Sequence, residues 1–223
     1  MSEFGTNGAV AGSEAGTPGV PVYPVGLTLT GRQCLVVGGG RVAARKIAGL
    51  VAAGAEVHVL APEVSDEVRR LAAAVRERPF GPGDCIGYRL VFTATGDEAV
   101  DAAVAADAEA AGAWINACDR PALCSVLLPA VLRHDPITVA VNTGGASPTL
   151  AGWLRDRIAE VVTERHAEVA RLLAAERAAV HAGGGSTEGI DWRQRITELI
   201  DAELINDELI NDEEVRVQEE QPA

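Results

Sequence analysis

Apolar residues along this chain fall into short unbroken runs separated by stretches with helical spacing. Gln33–Val37 (QCLVV), Glu56–Leu60 (EVHVL), Arg89–Thr95 (RLVFTAT) and Ala113–Ala117 (AWINA) have the length and continuity of buried strands. Between them Val42–Ala53, Glu63–Ala74 and the Ala-rich Asp97–Ala111 read as helices. Val75–Arg78 reads as a short strand before Pro79. Val25, Leu27 and Leu29, alternating with Gly26 and Thr28, predict a further strand entering a turn at Thr30-Gly31. Strands alternating with helices of this length imply an α/β fold with a doubly wound parallel sheet.

The pattern changes at Ile137–Val141 (ITVAV), a strand of its own after Asp135-Pro136. It is followed by the loop Asn142-Thr143-Gly144-Gly145-Ala146-Ser147-Pro148 and a long helical region to about Ala182. Gly183-Gly184-Gly185-Ser186 is a flexible break, and Trp192, Ile196, Leu199, Ile200 and Leu204 recur at helical spacing. Beyond them ELINDELINDEE repeats a five-residue unit and fades into charge. The expected organisation is a disordered leader at 1–21, a nucleotide-binding domain at 22–130, and a smaller α+β region at 131–162. A helical segment at 163–205 and an acidic tail at 206–223 complete it. Leu150, Leu154, Ile158 and Val161 or Val162 share one helix face, which Val169, Leu172 and Leu173 extend. That stripe reads as core or dimer seam.

The end of the first buried run carries the clearest chemical signal. Gly38, Gly40 and Ala43 fit the G-x-G-x-x-G/A fingerprint of a Rossmann-type dinucleotide-binding turn. The first glycine permits the tight turn, the second lets backbone approach a pyrophosphate, and the third small residue lets helix and strand pack closely. Free N–H groups at the helix start then meet the phosphate charge. In such a sheet ligands bind outside the carboxyl ends of the strands. The candidate cofactor residues are therefore Gly38, Gly39, Gly40, Arg41, Val42, Leu60, Ala61, Thr93, Ala94, Thr95 and Asn116. A carboxylate for the ribose is expected roughly 20 residues past the glycines. Here His58-Val59-Leu60-Ala61-Pro62 stands in that place, with Glu63 the nearest acid and no arginine to greet a 2′-phosphate, so these residues leave NAD and NADP both open.

Two loops offer further chemistry. Asp119 follows a strand end between Cys118 and Arg120, where a carboxylate could exchange a proton or hold a pyrrole nitrogen or metal ion. A turn-forming Asp before Arg-Pro explains the same residues equally well. In Thr143–Pro148, Ser147 is suited to cap a helix with Pro148 in its first turn, and Gly144 and Gly145 free the backbone to turn N–H groups toward an anion. A well-made helix start is the simpler reading. The four cysteines (Cys34, Cys85, Cys118, Cys124) and four histidines (His58, His134, His166, His181) show no metal-ligand spacing, so no metal site is expected.

Composition narrows the class. The 223 residues are 48% apolar but only 4% aromatic, so Ala, Val and Leu must do the packing. No run approaches the roughly 18 apolar residues of a membrane span, and no signal segment opens the chain, which reads as a cytoplasmic protein. The net charge of −13 is concentrated at the end: residues 181–223 hold twelve acids against Arg193, Arg195 and Arg216. Residues 21–180 hold eighteen acids and sixteen bases, with no basic face for nucleic acid. Lys46 is the single lysine beside eighteen arginines, a compositional habit rather than a catalytic signature.

In order along the chain, Tyr23-Pro24-Val25, Gly31-Arg32, VVGGGRVAARK (Val36–Lys46), Leu60-Ala61-Pro62, Thr93-Ala94-Thr95, Asn116-Ala117-Cys118-Asp119 and AVNTGGASPTLA (Ala140–Ala151) resemble the precorrin-2 dehydrogenase family. That family includes the amino-terminal part of siroheme synthase and stand-alone precorrin-2 dehydrogenase/sirohydrochlorin ferrochelatases. The resemblance covers about Tyr23 to Val162, and the last block is its most specific part. It implies oxidation of precorrin-2 to sirohydrochlorin with hydride passed to NAD, and, as in some members, insertion of Fe2+. It implies a homodimer with 131–162 as the dimerisation and substrate region. Asp119 matches the family aspartate implicated in both steps, and Thr143 a position usually Ser that is phosphorylated in some members. Ser147 matches the Ser before the family's Pro.

The substrate so implied carries eight carboxylates, for which Arg120, Arg133, Arg155 and the Gly144-Gly145 helix start are candidates. Arg120, Thr143, Gly144, Gly145 and Ser147 are the expected substrate contacts, and Asp119 the expected catalytic acid/base. The sequence departs from the family pattern at Asn142-Thr143, at Gly96 where an acid is common, and broadly beyond Glu164. At this length a methyltransferase domain is not expected, so precorrin-2 would come from another protein. Two other readings compete: a Rossmann oxidoreductase acting on a small substrate, and a non-enzymatic NAD(H)-sensing module. The first lacks a well-placed His or a Y-x-x-x-K pair at Tyr23 or Tyr88, and the second draws on the acidic carboxy-terminal region.

Overall fold

The structure is a computed structural model that describes residues 19–202. Most of the expected leader and the whole acidic tail lie outside the described residues. The described residues divide into two compact units, 19–128 with 142–147, and 129–141 with 148–202.

The first unit is built on a five-stranded sheet. Its strands are β1 (Gln33–Val37), β2 (Glu56–Ala61), β3 (Ala74–Glu77), β4 (Leu90–Thr93) and β5 (Trp114–Ala117). All neighbours are parallel, in the order β3-β2-β1-β4-β5. Helices α1 (Arg41–Ala52), α2 (Asp66–Leu71) and α3 (Glu98–Ala110) join β1 to β2, β2 to β3 and β4 to β5, while residues 78–89 join β3 to β4 without a helix. Because side chains alternate along a strand, the buried runs fill two cores. Cys34, Val36, Val57, Val59 and Phe92 meet Ala43, Ala44, Ile47 and Leu50 of α1 on one face. Leu35, Val37, Leu60, Val91 and Ile115 meet Val104, Ala105 and Ala108 of α3 on the other.

Three local expectations are corrected here. Val25–Leu29 forms no strand: Val25 and Leu27 are exposed, and only Leu29 packs on the core. The second helix begins at Asp66 rather than Glu63, because residues 63–65 first cross the glycine turn, where the Ser65 amide donates to the Gly39 carbonyl at 3.0 Å. Ser65 then caps α2 by accepting from the Val68 amide. Residues 19–21, assigned to the leader, are described, and the Val20 amide donates to the Gly144 carbonyl at 3.0 Å.

The second unit contains an antiparallel hairpin of β6 (Ala130–His134) and β7 (Ile137–Val141) joined at Asp135-Pro136. Strand β6 was not visible in the hydrophobic pattern. The expected long helix is two: α4 (Pro148–Ala159) and α5 (Glu164–Ala182). Val161-Val162-Thr163 interrupts it, since β-branched residues are poor helix formers and Thr163 caps the second helix reciprocally with His166. Residues 192–202 are helical to the limit of the description. No helix among the described residues is long and apolar enough to cross a membrane.

Candidate active site

Strand order reverses between β1 and β4, which opens a crevice at their carboxyl ends. The turn Gly38–Gly40 leaves β1 there, and Ala94–Gly96 leaves β4. The three glycines do different work. Gly38 has φ +128°, and a Cβ on it would lie 2.5 Å from the Ala94 carbonyl oxygen. A Cβ on Gly39 would overlap the Glu63 carbonyl. Gly40 meets nothing within 4 Å, so its outer side is open. Gly40 is the N-cap of α1 and offers no side-chain acceptor. The first amide bonded back in the helix is that of Ala44, to the Gly40 carbonyl, which leaves the Arg41, Val42 and Ala43 amides without acceptors among the described residues. An open glycine before three free donors on a helix dipole suits a pyrophosphate.

A cleft of about 320 Å³ adjoins this turn, lined by Val42, Ala94, Gly96, Asp101, Cys118, Asp119 and Arg120. Asp119 lies on its wall and is exposed, and its carboxylate makes no hydrogen bond or ion pair among the described residues. It is also the one non-glycine residue there with a left-handed backbone, φ +62°. Asp tolerates that region better than most residues, but at a cost.

The residue that organises the cleft is Asp101, which sequence reasoning missed. It sits in the first turn of α3 and is 2% exposed. Its Oδ1 accepts from the Thr93 hydroxyl at 2.5 Å, the Thr95 hydroxyl at 2.7 Å and the Thr95 amide at 3.4 Å. Its Oδ2 accepts from Arg120 Nε at 3.2 Å. Burial pushes this carboxyl up, but the hydrogen bonds from Thr93, Thr95 and Arg120 outweigh it and hold the group below the ordinary carboxylate range. In an Ala-rich helix an Asp reads as solvated face. The available signal was its place one turn after Asp97, beside Thr-x-Thr at a strand end.

The expected site residues therefore divide. Gly38–Gly40, Arg41, Val42, Ala94 and Asp119 gather at the crevice. Thr93 and Thr95 border it, but their hydroxyls are committed to Asp101. Asn116 is buried, with its amide donating to the Val126 carbonyl at 2.8 Å, a bond that fastens the 124–126 segment to β5. Leu60 and Ala61 are buried at the end of β2, where the Leu60 carbonyl takes the Gly38 amide. Arg120 is paired with Asp101 and with Glu98 at 3.2 Å, leaving Nη2 without a partner among the described residues.

In the 142–147 loop the Gly144 amide is spent on Asn142 Oδ1 at 2.6 Å, and Gly144 has φ +63° with the Val20 backbone against it. Gly144 is therefore required by chain packing, and its N–H is not free for an anion. Thr143 Oγ1 donates to the Ser147 carbonyl and accepts the Ser147 amide, both at 3.1 Å. Ser147 directly precedes α4. In the second unit Arg155 pairs with Asp156, while Arg133 is exposed without an ion pair among the described residues. No cluster of three or more His, Cys, Asp or Glu that could hold a metal ion occurs among the described residues.

A family model described as "Putative NAD(P)-binding" matches residues 25–130. The siroheme synthase of Methylococcus capsulatus is 43% identical over 155 residues, 68% of this chain and 33% of that protein. That of Nitrosomonas eutropha is 39% identical over 163 residues, 71% of this chain and 34% of that protein. The chain thus spans about a third of the length of the siroheme synthases it matches. Among solved structures, SirC, precorrin-2 dehydrogenase, superposes with a TM-score of 0.62 at 27% identity, covering 81% of this chain and 88% of that one.

Proposed function

Because the chain belongs to the family that joins precorrin-2 dehydrogenase to the amino-terminal region of siroheme synthases, we propose that it oxidises precorrin-2 to sirohydrochlorin with NAD+ as acceptor. The observation that carries the reading is the open, amide-lined turn at Gly40 beside the unpartnered carboxylate of Asp119. The residues fit a dinucleotide: the Arg41, Val42 and Ala43 amides would hold its pyrophosphate, and Gly40 would let the backbone approach. Bound NAD+ supplies the hydride acceptor. Asp119 would take the proton that precorrin-2 loses alongside the hydride. The carboxylate suits this work because no neighbouring cation is paired with it. The main task left to the chain is to hold the reacting partners at contact distance.

Glu63, the nearest acid after β2, supports NAD over NADP, since an acid near the ribose would repel a 2′-phosphate. Thr143, Gly145, Ser147 and the remaining Nη2 of Arg120 are assigned to the substrate carboxylates, with Gly144 shaping their loop. The exposed Trp153 and Val161 near the α4 stripe support a homodimer. The free cysteines support a reducing, cytoplasmic setting.

The test adds precorrin-2 and NAD+ to the purified protein and follows NADH and the tetrapyrrole spectrum, then adds Fe2+ as a second substrate. NADH formation with appearance of sirohydrochlorin supports the dehydrogenase, and a further change to siroheme adds metal insertion. Binding of NADH with precorrin-2 left unchanged would favour a nucleotide-sensing module instead. Faster turnover with NADP+ would overturn the cofactor assignment alone.

A further inference from the structure

We propose that Asp101 is a positioning residue for the dehydrogenation described above: by holding Arg120 it fixes the backbone that presents Asp119 to the cleft. The inference rests on that reading for its role in turnover, but its structural link stands separately. Asp119 adopts φ +62°, a conformation that is unfavourable for a non-glycine residue and persists only where neighbours hold it. Both neighbours have ties to the end of β4, and the Arg120 amide also closes the turn by donating to the Ala117 carbonyl at 3.3 Å. The Cys118 amide donates to the Thr93 carbonyl at 2.9 Å. On the other side Arg120 Nε donates to Asp101, whose Oδ1 takes the Thr93 hydroxyl. Thr93 at the end of β4 thus anchors the chain before Asp119 by its carbonyl and the chain after it by way of Asp101.

The pairing also settles where the Arg120 charge goes. Asp101 and Glu98, both on α3, take Nε and Nη1. Arg120 is therefore drawn toward α3 and off the adjacent Asp119 carboxylate. In return Arg120 is the cation in contact with Asp101, a carboxylate at 2% exposure that would be costly to bury uncompensated. Neither role was legible from Asp101 as one polar residue in EAVDAAVAADAEA.

The test compares Asp101→Asn, Arg120→Met and the double variant in the full chain, with two independent readouts. The first is kcat for precorrin-2 oxidation against the Kd for NADH. The second is the rate at which iodoacetamide labels the Cys118 thiolate, corrected for the ionised fraction because Asp101 also raises this thiol, so that it reports the order of the loop without requiring activity. Each single variant is expected to lower kcat about tenfold with NADH affinity held within about twofold, and the double variant to be no worse than either. Cys118 labelling should accelerate severalfold in all three.

Losses that multiply in the double variant, or an unchanged Cys118 rate, would overturn the proposal. If Asp101→Asn does not fold, Arg120→Met, whose side chain is 28% exposed, still reports the link. If the wild-type protein leaves precorrin-2 unchanged, the dehydrogenase reading fails, while the labelling rates still judge whether Asp101 holds the loop.

Discussion

The carbonyl oxygen of Ala94 lies 2.5 Å from the point where a Cβ on Gly38 would sit, whereas the same point on Gly40 faces open space. Structure and ligand therefore make separable demands on one turn. Gly40→Ala should cost no more than about 1 kcal/mol, the scale of an N-cap change, yet weaken NADH binding by at least about tenfold, because the methyl group occupies the approach to the pyrophosphate. Gly38→Ala should destabilise the fold by more than about 2 kcal/mol, combining a backbone clash with a left-handed φ. Thermal melts with NADH fluorescence titrations separate the two, and equal loss of stability in both variants would contradict this division.

Asp119 pays for its place in backbone energy. Glycine adopts φ +62° without a Cβ penalty, so Asp119→Gly should leave stability unchanged or raise it by up to about 1 kcal/mol. The same change should lower turnover by about a hundredfold or more through loss of the proton acceptor, with NADH affinity retained. A marked fall in melting temperature would mean instead that the carboxylate holds the loop, which is the turn-forming role that its sequence context also allowed.

Alkaline pH tests the core behind the cleft. Burial, followed by the hydrogen bond and negative charge of Asp107, pushes the Cys85 thiol up to about 12, and burial also raises Cys34. An unfolded thiol ionises near about 8.5, so the neutral folded thiol contributes stability that is complete below that pH and lost as pH rises toward 12. Melting temperature should fall as pH is raised above about 9. Cys85→Ala should be less stable near neutrality, through a small cavity, but should lose stability less steeply on the alkaline side. Parallel alkaline slopes for the two proteins would remove Cys85 as a cause.

The parallel sheet was legible because its strands are buried on both faces, and QCLVV or RLVFTAT can hardly be read otherwise. Periodicity misled where it had no partner to act upon: Val25, Leu27 and Leu29 alternate, but no strand lies beside them. It was silent at Ala130–His134, which becomes a strand only by pairing with Ile137–Val141. Within the site, the glycine turn carried its own signature, whereas Thr93 and Thr95 were recognisable only as strand-end neighbours of a ligand. Their commitment to Asp101 depends on a contact across eight and six residues that no local pattern records.

The hydrogen bond from Val20 to Gly144 joins positions far apart in the sequence, and its consequence is practical. Residues 19 and 20 are therefore not an inert handle for purification. Proteolytic trimming past Val20 would remove a bond to the Thr143–Ser147 turn, so a shortened preparation should be judged on how that turn behaves as well as on yield.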